Sequence, residues 1–371
     1  MVHGDDFTCL GNDQGLDFAT TVMQEEYDIK LRGRLGPEKG DQNSITILNR
    51  CVEWRQDGIY YEADPRHAEI IVKEMGVASM APVVTPEVKT SALSEEDDPL
   101  LDHEHAHKFR RVIARGNFLC QDRTDIQYAV KETARGMANP RQSHWDRLVR
   151  LAKYLKGRMR YVIKFARQVG VYSINTFGDS DFAGEVDTRK STSGGMMCIG
   201  DHMIKSWSTT QSVIALSTGE AELYAINKPA ANGLGAWSLL SDMGLTLDIR
   251  VYTDATTGKS IASRRGLGKI RHISVNELWI QELVQNKYVT IVKIKNKFNP
   301  SDILTKHLGR SEIEMIMEHV QHFFEQGRAA AAPKLAIMDE KKIMHDEELH
   351  IVSKDQQYQV CYCRGYGISM N

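Results

Sequence analysis

Long apolar runs are missing from this sequence: no stretch approaches the ~18–20 residues a membrane-spanning helix requires. The N-terminus also lacks the basic, apolar and small-residue succession of a signal peptide, so export is not expected. Cysteine is sparse and scattered. Six residues, Cys9, Cys51, Cys120, Cys198, Cys361 and Cys363, follow no framework spacing. That excludes a disulfide scaffold and fits reduced thiols in an intracellular, cytoplasmic or nuclear protein. Neither sign of charge predominates: 47 Lys and Arg face 49 Asp and Glu, a net of −2, so any polyanionic partner must be read from local patches. There is no internal repeat. What remains, 371 residues with 42% hydrophobic and 26% charged content, is ordinary for a globular chain of ~2–3 domains.

The chain opens on "MVHGDDFTCLGN", where Asp5 and Asp6 read as the tight turn of a hairpin whose carboxylates hold a metal. Residues 45–64 read as two strands joined at Asp57-Gly58, a strong hairpin signal, and 66–76 as a helix. Two prolines, small polar residues and an acidic run make 81–102 a connector. Helix returns over 103–157, with Trp145, Leu148, Ala152 and Leu155 on one apolar stripe that ends at Gly157. From 171 the texture changes. "VYSINTFGD" is strand-like, and "GGMMCIGDHMIKSWS" is a hairpin turning at Gly200-Asp201. "STGEAELYAI" opens a helix on the capping-box spacing of Ser217 and Glu220. "IRVYTD" and "VTIVKIK" are further strands. Hairpins first and strand–helix alternation later predict a mixed sheet with helices packed on it. Beyond about residue 309 comes an amphipathic stretch and a polar tail.

Four acids stand where strands end or helices begin: Asp179, Glu222, Asp254 and Asp302, the last with Ser301 as the expected N-cap. Each alone is an ordinary capping residue. Brought together they would repel and raise one another's pKa, unless divalent cations sit among them. Mg²⁺ takes hard oxygen ligands, and two ions ~3.5–4 Å apart suit phosphoryl transfer. Other motifs are decoys. "TDATTGKS" ends like a phosphate-binding loop, but Thr253 occupies the position of the required first glycine, so Gly258-Lys259-Ser260 reads as the start of a helix. His103, His105 and His107 lack a cysteine partner and read as a solvated, flexible segment. Cys361-Tyr362-Cys363 lacks a second ligand pair.

Five segments, "GDSDFAGEVDTRKSTSGG", "IKSWSTTQSVIALSTGEAELYA", "VYTDATTGKSIA", "IRHISV" and "NPSDILTK", occur in an order that closely resembles the ribonuclease H domain of copia-type retrotransposon Pol polyproteins. Upstream, 122–157 resembles their stretch between reverse transcriptase and ribonuclease H, and "VHGDDF" their polymerase metal hairpin. The resemblance implies a ribonuclease H-like mixed five-stranded sheet with flanking helices, preceded by a truncated palm and thumb. The expected divisions are 1–80 from reverse transcriptase, 81–102 linker, 103–168 helical connection, 169–308 ribonuclease H-like and 309–371 tail. With only Met1–Gly4 before Asp5 and Asp6, the polymerase part is expected to be incomplete and inactive.

Carried over residue by residue, the resemblance assigns Asp179, Glu222, Asp254 and Asp302 to a site for two Mg²⁺ or Mn²⁺ ions. Asp181 competes with Asp179, since both point to one side of a strand; Glu220 competes with Glu222 but suits the cap better. Phe182, Leu223, Pro229 and His3-Gly4 depart from the family pattern and mark a diverged copy. The implied activity is metal-dependent endonucleolytic cleavage of the RNA strand of RNA–DNA hybrids; the alternative is an inactive or domesticated remnant that binds nucleic acid or protein. The remaining parts of a Pol polyprotein are further expected partners. Nine cations against one acid over 141–167, with Arg150, Lys153 and Lys156 at the centre, suggest a phosphate track for the hybrid. Arg264, Arg265, Lys269, Arg271 and His272 would extend it. No base-reading motif accompanies these cations, as expected where duplex shape is recognised.

Overall fold

The expected turns are where the chain reverses, and one more was missed. A computed structural model describes residues 1–89, 96–185, 188–268, 273, 275–334 and 358–364. Two compact units emerge, one of Met1–Arg66, Val162–Ala166 and Gln326–Asn371, the other of His67–Tyr161 and Arg167–Glu325.

In the first unit, β1 (Val2–His3) and β2 (Asp6–Gly11) pair with His3 opposite Asp6, leaving Gly4 and Asp5 as a two-residue turn. Helix α1 (Asp13–Glu26) is capped by Asn12, which accepts from Gly15 N at 2.9 Å, and buries Leu16. β3 (Ile29–Leu35) pairs in parallel with a strand at Tyr358–Arg364, which also pairs with β2. β4 (Ser44–Ile47), β5 (Arg50–Arg55), β6 (Gly58–Glu62) and β7 (Arg160–Ala166, from Val162 in this unit) form an antiparallel meander over Leu35, Ile45 and Trp54. The Asp57-Gly58 hairpin is present. The segment 45–64 nevertheless holds three strands rather than two, because Leu48 and Asn49 both take positive φ, 48° and 65°, and close a second turn. A branched residue at that φ is strained and carries no turn signal in sequence.

In the second unit, α2 (Pro65–Glu74) leads into 81–89, which has no regular structure, as a connector should. It is not all solvated, however: Thr85, Pro86 and Glu87 are buried. Asp102 caps α3 (His103–Leu119) by accepting from His105 N at 2.9 Å. His103, His105 and His107 are therefore exposed, as expected, but helical rather than part of a flexible segment. α4 (Gln127–Ala134) and α5 (Gln142–Gly157) follow; α5 buries Leu148, Ala152 and Leu155 and stops at Gly157, as the periodicity predicts. A fully buried ion pair, Arg123 with Asp125 at 2.7 Å, fixes the start of α4, and Tyr154 donates to the same carboxylate.

The helices 103–157 lie in the same compact unit as the second sheet; Lys131 Nζ, for example, donates to Thr192 Oγ1 at 2.6 Å. That sheet contains β8 (Ser173–Asp181), β9 (Thr192–Ile199), β10 (His202–Thr210), β11 (Asp248–Thr253) and β12 (Thr290–Lys293) in the order β10-β9-β8-β11-β12. Its first three strands are antiparallel; β8, β11 and β12 are parallel. Helices α6 (Thr218–Asp242), α7 (Thr256–Ser263) and α8 (Trp279–Gln285) pack on it around Ile174, Leu223, Ile226, Val251, Ile261 and Ile280. Pro229 lies within α6 without ending it. A 3₁₀ turn, Pro300–Leu304, and α9 (Arg310–His319) complete the unit. No helix among the described residues is long and apolar enough to cross a membrane.

Candidate metal centre

The register of two parallel strands builds the centre. Tyr252 lies opposite Phe177, so two residues further on Asp254, just past β11, stands level with Asp179, two residues before the end of β8. Glu222 reaches them from the second turn of α6. Ser217 caps that helix by accepting from Glu220 N at 3.2 Å, and Glu220 accepts from Leu216 N at 2.8 Å and from the Tyr224 hydroxyl at 2.7 Å. Glu220 is thus consumed by the cap, and Glu222, two residues on and so on the opposite face of the helix, turns to the sheet. Gly258 makes this approach possible: a Cβ there would sit 3.0 Å from the Glu222 Cβ. The glycine of the decoy phosphate loop serves to bring α7 against α6.

Ligand oxygens of Asp179, Glu222 and Asp254 all lie within 4.8 Å of one another. Asp181 is not among them, and its carboxylate instead overlies Gly184. Burial, then Asp179 and Asp254, push Glu222 up to about 8. Asp179 is raised to about 6, chiefly by burial, with Asp302 and Asp254 adding and Lys306 and Thr305 opposing. Glu222 Oε2 is buried and accepts no hydrogen bond from the protein. Two acids raised by burial and by neighbouring carboxylates, one with an orphaned oxygen, form the donor set that a hard divalent cation satisfies. The residues fit such an ion.

Asp302 comes close but stays outside the triad. It lies in the 3₁₀ turn, and the expected Ser301 cap is wrong: Asn299 caps the turn, accepting from Ser301 N at 3.2 Å while its amide donates to Gly178 O at 3.2 Å. An amide can bond in both directions, to the turn and to β8, which the serine hydroxyl two residues later does not do here. Gly194, opposite Asp179 on β9, admits the turn; a Cβ there would meet Leu304 Cβ at 2.7 Å and Thr305 Cγ2 at 2.6 Å.

Lys306 and Thr305 were not singled out from sequence, although both end the motif "NPSDILTK". Lys306 Nζ lies 2.9 Å from Asp302 Oδ1 and 3.3 Å from Asp179 Oδ2, and the Thr305 hydroxyl donates to Asp179 Oδ2. Lys293 Nζ holds the Asp254 end of β11 through the Asp254 carbonyl and, at 2.7 Å, Thr256 Oγ1.

The basic segment is mostly committed elsewhere. Arg150 donates to Thr85 Oγ1 at 2.7 Å, Lys156 to the Ala78 and Met80 carbonyls at 2.6 Å, and Arg141 to Asp98 O at 2.8 Å. These contacts tie Ala78, Met80, Thr85 and Asp98 to Arg141 and α5; no such partner is found for Lys153 among the described residues. Arg264 is likewise bound to Leu267 O and Arg265 to Gln285. Lys269, Arg271 and His272 lie outside the described residues, as do the side chains of Cys361 and Cys363.

Five strands in this order, with acids at the ends of the central strand and its parallel neighbour and on the first helix, define a ribonuclease H-like domain. No protein-family model matches the chain. It is 26% identical over 329 residues to the Retrovirus-related Pol polyprotein from transposon TNT 1-94 of Nicotiana tabacum, covering 86% of this chain and 24% of that one. The corresponding protein from transposon RE1 of Arabidopsis thaliana is 27% identical over 318 residues, 85% of this chain and 21% of that one. Among solved structures, the chain is similar to LC11-RNase H1 in complex with an RNA/DNA hybrid, at 13% identity and a TM-score of 0.27, over 36% of this chain and 94% of that one. Over most of its length the chain is similar to copia-type retrotransposon Pol polyproteins, and it spans a quarter or less of the length of these two relatives.

Proposed function

We propose that the chain is a ribonuclease H-type endonuclease that uses divalent metal, Mg²⁺ or Mn²⁺, to cut the RNA strand of RNA–DNA hybrids. The observation that carries this reading is the convergence of Asp179, Glu222 and Asp254, from two neighbouring strands and a helix, on one point by the C-terminal ends of β8 and β11. An ion bound there would place positive charge against the scissile phosphate and acidify an attacking water. The chain's own residues do the rest. Asp179, Glu222 and Asp254 would hold the ion. Asn299 and Gly194 set the turn that carries Asp302, and Lys306 and Thr305 fix the Asp179 carboxylate.

Cleavage of a labelled RNA–DNA hybrid in Mg²⁺ or Mn²⁺ tests the reading, with free RNA and duplex DNA as controls. Hybrid-specific cutting of the RNA strand supports it. A folded chain that is inert at every metal concentration would instead establish the remnant reading.

A further inference from the structure

The first unit contains a strand–helix–strand crossover whose two strands are not neighbours. β2 and β3 lie on either side of the strand Tyr358–Arg364 and both run parallel to it. They are therefore parallel to each other and two strand spacings, about 10 Å, apart. The walls of this slot are joined without the strand between them. α1 crosses from one to the other: Leu16 packs with Phe7 and Cys9 of β2 and with Ile29 of β3. Arg34 of β3 reaches back to the same helix, to Asp17 at 2.5 Å and Asp13 at 3.3 Å. The shape of β3 is also set from outside the slot. Its register against the middle strand passes from Leu31 to Gly33 between Val360 and Cys361, a bulge. Gly33 has a φ of 154° there, and a Cβ on it would meet Gln42 Oε1 at 2.5 Å, so glycine lets the chain's own return lie against the bulge.

The middle strand meets both walls through backbone ladders, with Gln359 to Arg364 against Asp6–Gly11 and Tyr358 to Cys363 against Ile29–Leu35. Strand addition of this kind draws its affinity from main-chain hydrogen bonds. Without the added strand, β2 and β3 would each present an open edge. We propose that β2, α1 and β3 form a strand-acceptor site, filled in cis by Tyr358–Arg364 and able to take an extended, proline-free peptide segment once that strand is withdrawn. The inference is independent of the metal centre, whose residues belong to the other unit.

Cys361→Pro with Tyr362→Pro, made in the full-length chain, tests it. Successive N–H groups of a central strand point to opposite edges, so the pair removes one ladder donor toward each wall. Hydrogen exchange read by mass spectrometry follows Asp6–Gly11 and Ile29–Leu35, with Ser173–Asp181 and Thr192–Ile199 of the other unit as controls for folding. In the double variant the first two segments should exchange at least ~100-fold faster than in wild type, with the controls unchanged. A synthetic peptide of the wild-type sequence 357–365 should bind the variant and restore slow exchange. The same peptide carrying the two prolines should not, and wild type should take up neither. Unchanged exchange in the variant, no protection by the peptide, or equal peptide binding by wild type and variant would each overturn the proposal. So would a wild-type dimer whose β2 protection is lost on dilution, since a second copy would then supply the strand. If the control segments also open, the single change Tyr362→Pro is read by the same criteria.

Discussion

Asp5-Asp6 and Asp179 with Asp254 are both acids beside hairpin or strand ends, yet they end in opposite situations. Asp5 is exposed at a two-residue turn and Asp6 half-buried at the start of β2. Among the described residues no third ligand comes within reach of that pair. Asp179 and Asp254 are far apart in sequence, but parallel pairing sets them level and the capped helix adds Glu222. Neighbours along a strand face opposite sides, whereas equivalent positions on adjacent strands face the same side. Adjacency in sequence is thus a poor guide to a shared ion, and register a good one.

The sharpest way to break that comparison is to remove one charge from each place. Asp254→Asn keeps the shape and removes a ligand charge, so hybrid cleavage should fall by ~10²–10³-fold, the scale of deleting one preorganised electrostatic contact, while hybrid binding persists. Asp5→Asn with Asp6→Asn should leave cleavage at wild-type rate. Equal cutting by Asp254→Asn and wild type would show that the triad is not the site.

Next in size is the pH response of the metal-free chain. Glu222, raised by burial and by Asp179 and Asp254 to about 8, and Asp179, raised mainly by burial to about 6, are both held above their unfolded values. Stability from a raised acid is complete below its unfolded pKa and is lost as pH rises through the folded one. The metal-free melting temperature should therefore decline through pH 6 and again towards 8. Glu222→Gln should flatten the upper part of that decline and melt several degrees above wild type at its alkaline end, at about 2–4 °C per kcal/mol regained. Saturating Mg²⁺ should reverse the trend, because the ion competes with protons for the same oxygens. A metal-free curve that rises from pH 5 to 8 would contradict the burial of these acids.

Much of this was legible in the sequence, and the failures have physical causes. The hairpins at Asp57-Gly58 and Gly200-Asp201 and the stop at Gly157 follow from local backbone preferences. The cap at Ser217 with Glu220 freed Glu222 for the site. Leu48-Asn49 could not be read, because a turn there runs against the preference of leucine. Asn299 and Lys306 were hidden for a different reason: their roles depend on Gly178 and Asp179, residues over a hundred positions earlier. The helical spacing of Asp302 and Lys306 was a signal that could have exposed the lysine. In the basic segment a count of charges says nothing about acceptors, and the connector supplies some of them to Arg150 and Lys156.

The smallest expected effect separates those two kinds of cation. Arg150 and Lys156 end on oxygens of the connector, with Arg150 Nε buried and without a partner of its own. Replacing both by alanine removes three hydrogen bonds from charged donors, so the melting temperature should drop by several degrees, at ~1.5–3 kcal/mol per such bond as an upper scale. The salt dependence of hybrid binding should stay the same, because neither cation is available to release counterions from a phosphate. Lys153 makes the opposite prediction. Half-buried on the same helix, Lys153→Ala should leave the melting temperature within about half a degree and flatten the plot of log affinity against log salt by at most ~1. If the Arg150 and Lys156 pair changes that slope while Lys153 does not, the structural pins are the phosphate contacts, and the division drawn between them is inverted.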